Sequence, residues 1–321
     1  MIQALWILAA IAGCTLFGGM SSAQGLGPRP VRVLIGVPPG GPSDTVFRLI
    51  TPKMSEALGQ TLVVDNRPGS NGVAGTEIAS RAAPDGLTLA VGNSGTHAIN
   101  ASLYRKLPYD PIRDFVPVTQ MVTSGIVLAI NPKLQANSFN DLVALAKKQP
   151  GRINIGIAGA TGQLAGDALW SLTQIKMNNV HYKGSSPAEI ALLSGEIDLV
   201  LLTPLATVQH INSGKLRALG ITSAKRSPLL PKVATVAELG VPGYAYEIWH
   251  GIFAPAKTPD RVIRAANKAA VAALNAPEIK ERLTSLGFVV IANTPEEFAA
   301  VVKREVDKYR KVIAESGIPL L

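Results

Sequence analysis

Short apolar runs rich in β-branched residues alternate along most of the chain with stretches whose apolar positions recur at helical spacing. The runs are bounded by proline, glycine or polar residues, as is typical of buried strands, and they cover residues 31–37, 61–65, 87–91, 126–130, 153–157, 197–202 and 216–221. The helical spacing is found in residues 140–148, 163–173 and 187–193. This alternation predicts a doubly wound α/β architecture with parallel sheets, in which ligands bind at the carboxyl ends of the strands.

The C-terminal part of the chain departs from this alternation. Residues 259–275, 277–286 and 295–316 are helix-rich and more charged, with a proline near the start of each stretch. We expect this helical segment to pack back on the first half of the fold.

The segment VRVLIGVPPGGPSD at 31–44 leads from the first predicted strand through a Pro/Gly turn into a helix. Gly40 and Gly41 let the backbone approach a ligand closely, and Ser43 or Asp44 is the expected cap of the helix. The free N–H groups at the start of that helix would face an anion. The spacing matches a P-loop except that Pro42 stands where the phosphate-binding lysine is required, so we expect no nucleotide site. Taken alone, the segment is also compatible with an ordinary strand-to-helix turn.

Three further glycine-rich turns follow the apolar runs, with the sequences GNSGT at 92–96, GATGQ at 159–163 and YKGSS at 182–186. Each offers backbone N–H groups and small hydroxyls near the start of a helix. Together with the first turn, they predict a cleft that binds a small polar anion through backbone and hydroxyl donors.

Composition and charge allow two lobes and an anionic partner. The chain has 321 residues, of which 47% are hydrophobic, enough for one large core or two smaller ones. Lysine and arginine outnumber aspartate and glutamate by 31 to 22, and the net charge is +9. The basic residues are scattered, however, and only 5% of the chain is aromatic. We therefore expect no nucleic acid among the partners.

The first residues of the chain are typical of an export signal. Residues 5–20 are almost wholly apolar or small, and Ser21 and Ala23 fit the small-residue rule for signal-peptidase cleavage. We interpret residues 1–23 as a signal peptide for the periplasm, with a membrane-spanning helix as an alternative. The sequence IAGC at 11–14 also resembles a lipobox, which would make Cys14 a lipidated first residue. In the soluble case the only cysteine leaves with the signal, and the mature chain can form no disulfide.

The sequence contains no motif that assigns a catalytic or metal-binding role. The four histidines lie far apart without HxxxH or HExxH spacing, and they are His97, His181, His210 and His250. Residues 92–96 come close to a nucleophile elbow around Ser94, but Thr96 replaces the second glycine of GxSxG. We interpret Ser94 as a ligand donor or helix cap, and we expect no metal and no cofactor.

Several ordered blocks of sequence resemble the Bug, or TctC-like, extracytoplasmic solute receptors of tripartite tricarboxylate transporters. Besides residues 31–44, the blocks are VVDNRPGSNG at 63–72, APDGLTL at 83–89, THAINASLYRKLPYDPIRDFVPV at 96–118, HYKGSSPA at 181–188, GKLRALGITSAKRSPLLPKVATVAELGVPGY at 214–244 and TPEEF at 294–298. The resemblance covers nearly the whole chain after the predicted signal.

This resemblance implies a two-lobed α/β periplasmic-binding-protein fold, a type II-like Venus flytrap, in which each lobe is a mixed, mainly parallel sheet flanked by helices. It implies lobe 1 at 24–122 and 249–321 and lobe 2 at 123–248. It also implies a receptor, not an enzyme, that closes over a small carboxylate, and we expect a monomer. The candidate ligand-binding residues are Gly40, Gly41, Ser43, Asp44, Ser94, Thr96, Ala160, Thr161, Gly162, Gly184, Leu202 and Thr203.

One departure from the family pattern bears on the ligand. Several relatives place an aspartate, suited to a ligand ammonium group, where this chain has Leu202. Because leucine would leave a buried cation unpaired, we expect a non-amino mono- or dicarboxylate with an apolar or aromatic body.

Transport is the leading function, with the permease subunits of a tripartite tricarboxylate transporter as the membrane partner. A ligand sensor that docks on a sensor kinase ectodomain is an alternative. A secreted hydrolase that uses Ser94 is a third, weaker one.

Overall fold

Strands and helices alternate in the computed structural model as the hydrophobic pattern predicts. The structure describes residues 29–316 and 320–321, so the predicted signal at 1–23, including Cys14, lies outside the described residues. The described strands are β1 (Val31–Ile35), β2 (Leu62–Asn66), β3 (Thr88–Asn93), β4 (Phe115–Gly125), β5 (Val127–Ile130), β6 (Asn154–Ile157), β7 (Asn178–His181), β8 (Leu199–Leu202), β9 (Arg217–Ile221), β10 (Glu247–Pro255) and β11 (Val289–Val290). The described helices are α1 (Pro42–Leu58), α2 (Val73–Ser80), α3 (Asn100–Leu103), α4 (Phe139–Lys148), α5 (Ala160–Thr173), α6 (Ser185–Ser194), α7 (Pro204–Asn212), α8 (Asp260–Asn275), α9 (Pro277–Ser285) and α10 (Pro295–Ser316).

Two sheets organise these elements into two lobes. The sheet of lobe 1 has the order β11-β4-β10-β3-β1-β2 and takes strands from both ends of the chain. The sheet of lobe 2 has the order β7-β6-β8-β5-β9 and comes from the middle of the chain. Strands β4 and β10 pair along their length. In the chain, β5 of lobe 2 follows β4, and β9 of lobe 2 precedes β10. The architecture is therefore the two-lobed α/β fold that the sequence predicts.

Both sheets are mixed, as the resemblance implies. β1 is parallel to β2 and β3, and β6 is parallel to β7 and β8. β10 is antiparallel to β3 and β4, β11 is antiparallel to β4, and β5 is antiparallel to β8 and β9. Because β3 and β4 are both antiparallel to β10, β4 runs in the same direction as β1, β2 and β3, and four of the six described strands of lobe 1 share one direction. In lobe 2, four of the five described strands share one direction and β5 opposes them. The prediction of mixed, mainly parallel sheets is therefore confirmed.

Helices cover both faces of the lobe 1 sheet. Alternate residues of β1 decide the faces: Val33 belongs to a core shared with α1 and α8, whereas Leu34 belongs to a core shared with α2, α3 and α10. The C-terminal helix α10 buries Phe298 and Tyr309 in the second of these cores. The C-terminal helical segment thus packs back on lobe 1, as expected.

The lobes also share buried apolar residues. Leu128 of β5 lies in the same core as Phe253 of β10 and Tyr309 of α10. On the segment that returns to lobe 1, the Tyr244 hydroxyl donates to the Ala165 carbonyl of α5 at 2.6 Å, and Tyr246 packs 6.4 Å from the Tyr309 ring. This junction holds the two lobes on one side of the cleft between them.

Within the described part of the chain, none of the helices combines the length and apolar character that a membrane crossing requires. The same residues contain no group of three or more histidine, cysteine, aspartate or glutamate side chains arranged to hold a metal ion.

Candidate functional site

A cavity of about 760 Å³ lies between the lobes. From lobe 1 it is lined by residues at or after the ends of β1, β2 and β3, at 36–38, 41–43, 68–72, 93 and 95. From lobe 2 it is lined by segments that follow β6, β7 and β8, at residues 158–162, 181–187 and 201–203. The cavity thus lies at the carboxyl ends of six strands, where an α/β sheet is expected to bind its ligand.

Four helices begin at this cavity, namely α1 in lobe 1 and α5, α6 and α7 in lobe 2. The N-cap positions of α5 and α6 are Gly159 (φ 153°) and Gly184 (φ 140°), in a backbone conformation that favours glycine. The first N–H groups of a helix precede its first internal hydrogen bond, and they carry the positive end of the helix dipole. The convergence of these ends makes the cavity a favourable place for an anion.

The side chains of the lining add to this preference. Among the described residues that line the cavity there is no aspartate or glutamate, whereas Lys183 lines it with an exposed side chain. Apolar side chains, including Leu201, Leu202 and Ile248, form part of the wall. Such a site can hold a carboxylate through N–H and O–H donors while its apolar wall contacts the carbon skeleton.

Eight of the twelve candidate ligand-binding residues line the cavity. They are Gly41, Ser43, Ala160, Thr161, Gly162, Gly184, Leu202 and Thr203. Thr203 is buried, and its hydroxyl has no hydrogen-bond partner within the described residues. A ligand in the cavity therefore has an unpaired hydroxyl available on the lobe 2 side.

Asp44 and Gly40 do not line the cavity, and their contact with a ligand stays a prediction. Asp44 is buried and accepts hydrogen bonds from Arg48 Nε, the Gly40 N–H and Asn66 Nδ2, each at 2.9 to 3.0 Å. Burial by itself raises the pKa of this carboxyl, but the bonds from Arg48, Gly40 and Asn66 outweigh it and hold the pKa below its ordinary value. The predicted cap is wrong. Gly41 is the N-cap, because Pro42, whose φ is already helical, begins the helix.

Ser94 and Thr96 do not line the cavity either. The chain enters a π-helical turn at Gly95–Ile99 directly after β3, so both side chains are buried. Ser94 Oγ lies 3.0 Å from Thr161 Oγ1 of α5 and joins the two lobes. Thr96 Oγ1 accepts the Asn93 N–H and lies 2.9 Å from His97 Nδ1. Both residues hold the wall in place, and a helical turn at this point is not evident from the sequence.

Sequence reasoning missed several lining residues. The turn at 68–72 lies within a block that resembles the family, yet the sequence assigns it no role. Asn93 and His250 also line the cavity, and His250 Nδ1 lies 2.9 Å from Ser43 Oγ although 207 positions separate the two in sequence. A lone histidine carries no sequence signal of such a contact, which only the fold creates.

Residues 46–318 match the family model described as "Tripartite tricarboxylate transporter family receptor" (TctC). The chain belongs to the TctC family.

Relatives and solved structures place this TctC-family receptor among solute-binding proteins. Protein BugT of Bordetella pertussis is 33% identical over 295 residues, which are 91% of this chain and 90% of that protein. The structure of MatC from Rhodopseudomonas palustris with bound malate has a TM-score of 0.85 at 31% identity, covering 89% of this chain and 99% of that one. The structure of Rpa4515 from R. palustris with adipate has a TM-score of 0.88 at 31% identity, covering 91% and 99%. The resemblance stated from the sequence blocks and the fold it implies are thereby confirmed.

Proposed function

We propose that this TctC-family receptor binds a small carboxylate in the cavity between its lobes and delivers it to the permease subunits of a tripartite tricarboxylate transporter. The observation that carries the proposal is the meeting of four helix N-termini at a cavity whose described lining has no carboxylate side chain. Each such terminus favours an anion. The malate bound to MatC and the adipate bound to Rpa4515 are small carboxylates, which supports the same ligand class here.

The ligand we propose is a carboxylate without an amino group. Leu202 ends β8 at the cavity and is buried. An ammonium group entering here would meet helix N-termini and find no aspartate or glutamate among the described lining residues. Burying an unpaired cation costs several kcal/mol, so an amino acid is disfavoured relative to the matching hydroxy or unsubstituted acid.

The setting of this function follows from the proposed division of the chain. Residues 1–23 are proposed to direct export to the periplasm, residues 24–122 and 249–321 to form lobe 1, and residues 123–248 to form lobe 2. The receptor is proposed to act as a monomer that performs no chemistry and needs no cofactor. Ligand contacts from both lobes favour the closed arrangement over an open one.

Thermal unfolding of residues 24–321 in the presence of matched acids tests the proposal. The pairs are malate with aspartate, in which an ammonium group replaces the hydroxyl, and adipate with 2-aminoadipate, in which an ammonium group replaces a hydrogen. A ligand at a concentration a hundred times its Kd stabilises the native state by about 2.7 kcal/mol. We therefore expect malate and adipate to raise the Tm by several degrees, and aspartate and 2-aminoadipate to raise it less.

Two results would count against parts of the proposal. If aspartate raises the Tm as much as malate does, the argument from Leu202 fails. If no carboxylate in a wider panel of mono-, di- and tricarboxylates shifts the Tm, the proposed ligand class fails.

A further inference from the structure

Ser43 lies at the centre of a small buried hydrogen-bond network beside the cavity. Its Oγ is 3.4 Å from Asn93 Nδ2 and 2.9 Å from His250 Nδ1. Asn93 is the last residue of β3 in lobe 1, and His250 belongs to β10, the strand that returns to lobe 1. All three residues line the cavity, and Ser43 and His250 are each 2% exposed.

The orientation of the Asn93 amide follows from its second contact. Asn93 Oδ1 accepts the Thr96 N–H at 3.1 Å. This bond requires an oxygen on that side, so the NH₂ group is the one that faces Ser43. Ser43 Oγ therefore accepts a hydrogen bond from Asn93.

His250 is neutral in this environment. Its ring is fully buried and packs edge-to-face with Phe288 at 5.9 Å, and burial lowers its pKa to about 3. A neutral imidazole carries one N–H, on either Nδ1 or Nε2. Within the described residues, Nε2 has no hydrogen-bond partner.

The two tautomers leave different groups unpaired. With the proton on Nε2, a buried N–H has no acceptor, and the Ser43 O–H is directed at Nδ1. With the proton on Nδ1, the ring donates to Ser43 Oγ, and Nε2 presents only a lone pair. Unpaired buried N–H groups are rarer in proteins than under-used acceptors, so the contacts favour the Nδ1–H form.

We propose that Asn93 and His250 are positioning residues that hold the Ser43 hydroxyl as a hydrogen-bond donor directed into the cavity, toward the carboxylate of the ligand. Both acceptor positions of Ser43 Oγ are taken by donors from the protein, so its O–H has the cavity to donate into. A hydroxyl held in this way donates to a carboxylate without first giving up another bond. This inference rests on the proposed function for its ligand, but the tautomer it requires does not depend on the ligand.

A double-mutant cycle with adipate and malate as probes tests the binding part. Ser43→Ala is expected to raise the Kd about 10- to 100-fold, the range for losing a hydrogen bond to a charged group. His250→Phe keeps a ring of similar shape and is expected to raise the Kd about tenfold. Because His250 acts through Ser43, adding His250→Phe to Ser43→Ala is expected to change the Kd by less than about twofold.

His97 supplies the matched control. Its ring is also fully buried, and its Nδ1 lies 2.9 Å from the Thr96 hydroxyl. Its Nε2 has no hydrogen-bond partner in the described part of the chain. It stacks on Phe253 and does not line the cavity. His97→Phe is expected to leave the Kd within about twofold of wild type. An equal rise in Kd when His250→Phe is introduced into the wild-type protein and into the Ser43→Ala variant would overturn the proposal.

Nitrogen-15 NMR of the histidine rings in the ligand-free wild-type protein provides the second measurement, which also applies if a variant does not fold. We expect His250 to carry its proton on Nδ1, whereas a protonated Nε2 would overturn the proposal. If wild-type protein binds neither acid, that result counts against the proposed ligand class, and the tautomer alone decides the role of His250.

Discussion

Leu202 is the single side chain on which the charge of the ligand depends most directly. Leu202→Asp would place a carboxylate in a cavity whose described lining has none. We expect it to weaken malate binding at least about tenfold through like-charge repulsion, and to improve the binding of aspartate relative to malate. Calorimetric titration of both acids into wild type and variant measures the change.

Leu202→Asn is the control for this substitution, because asparagine has nearly the same size and polarity as aspartate but no charge. Equal effects of the two variants on the ratio of the malate and aspartate Kd values would mean that charge at this position does not select the ligand.

The two buried histidines make stability depend on pH. Burial lowers the pKa of His97 and of His250 from 6.5 to about 3. Between these values the unfolded chain binds protons that the folded chain does not, so the stabilisation is fully present above about pH 6.5 and is lost as the pH falls. Each ring is expected to contribute a slope of about 1.4 kcal/mol per pH unit inside that window.

Urea unfolding at pH 7, 6 and 5 checks this prediction. His97→Phe and His250→Phe are each expected to flatten the fall in unfolding free energy, whatever their stability at pH 7. A wild-type unfolding free energy that stays constant from pH 7 to 5 would contradict the prediction.

The turn after β3 and the start of α5 meet across the cleft through one hydrogen bond. Ser94 Oγ and Thr161 Oγ1 are 3.0 Å apart, and both residues are buried. Because this bond joins the lobes and Ser94 does not line the cavity, Ser94→Ala is expected to disfavour closure and weaken ligand binding about 3- to 10-fold.

Ser80→Ala is the matched control for Ser94→Ala, because the Ser80 hydroxyl donates to the Glu77 carbonyl within α2 and does not join the lobes. Titration with adipate measures both variants. Equal Kd values for Ser94→Ala and wild type would show that this bond does not contribute to closure.

The elements that sequence predicts well are those whose own residues determine them. The runs at 61–65 and 153–157 appear as β2 and β6 with nearly the same bounds, because short runs that contain β-branched residues favour the extended conformation. The hydrophobic pattern does not predict β4 or β10. They contain polar residues such as Gln120 and His250 and are stabilised mainly by pairing with each other across more than 100 positions.

The same limit applies to the site. The glycine turns were recognised because their function needs only local backbone groups. The burial of Ser94 away from the cavity was not predicted, because nothing in its sequence indicates a π-helical turn, and the contact of His250 with Ser43 exists only after β10 has returned to lobe 1.

The arrangement of the two lobes around one cavity predicts a change of overall dimensions on binding. The lobes are joined at one side by β4, β10 and the core that includes Tyr309, and across the cleft they meet at contacts such as the hydrogen bond between Ser94 and Thr161. A ligand that contacts both lobes favours the closed form, so adipate or malate is expected to lower the radius of gyration measured by small-angle X-ray scattering.

Ser94→Ala provides an internal comparison for that measurement. Without ligand, the variant is expected to have a radius of gyration at least as large as wild type, and saturating ligand is expected to reduce it. A radius that is unchanged by saturating ligand in the wild-type protein would contradict closure by ligand.

The place of β10 between β3 and β4 also determines the order in which the chain can fold. The sheet of lobe 2 comes from one continuous stretch, from Val127 to Ile221, and can assemble as soon as that stretch is available. β3 and β4 each keep an unpaired edge until Glu247–Pro255 arrives, and such edges are templates for aggregation. Chains truncated before Glu247 are therefore expected to aggregate even though the strands of the lobe 2 sheet are all present.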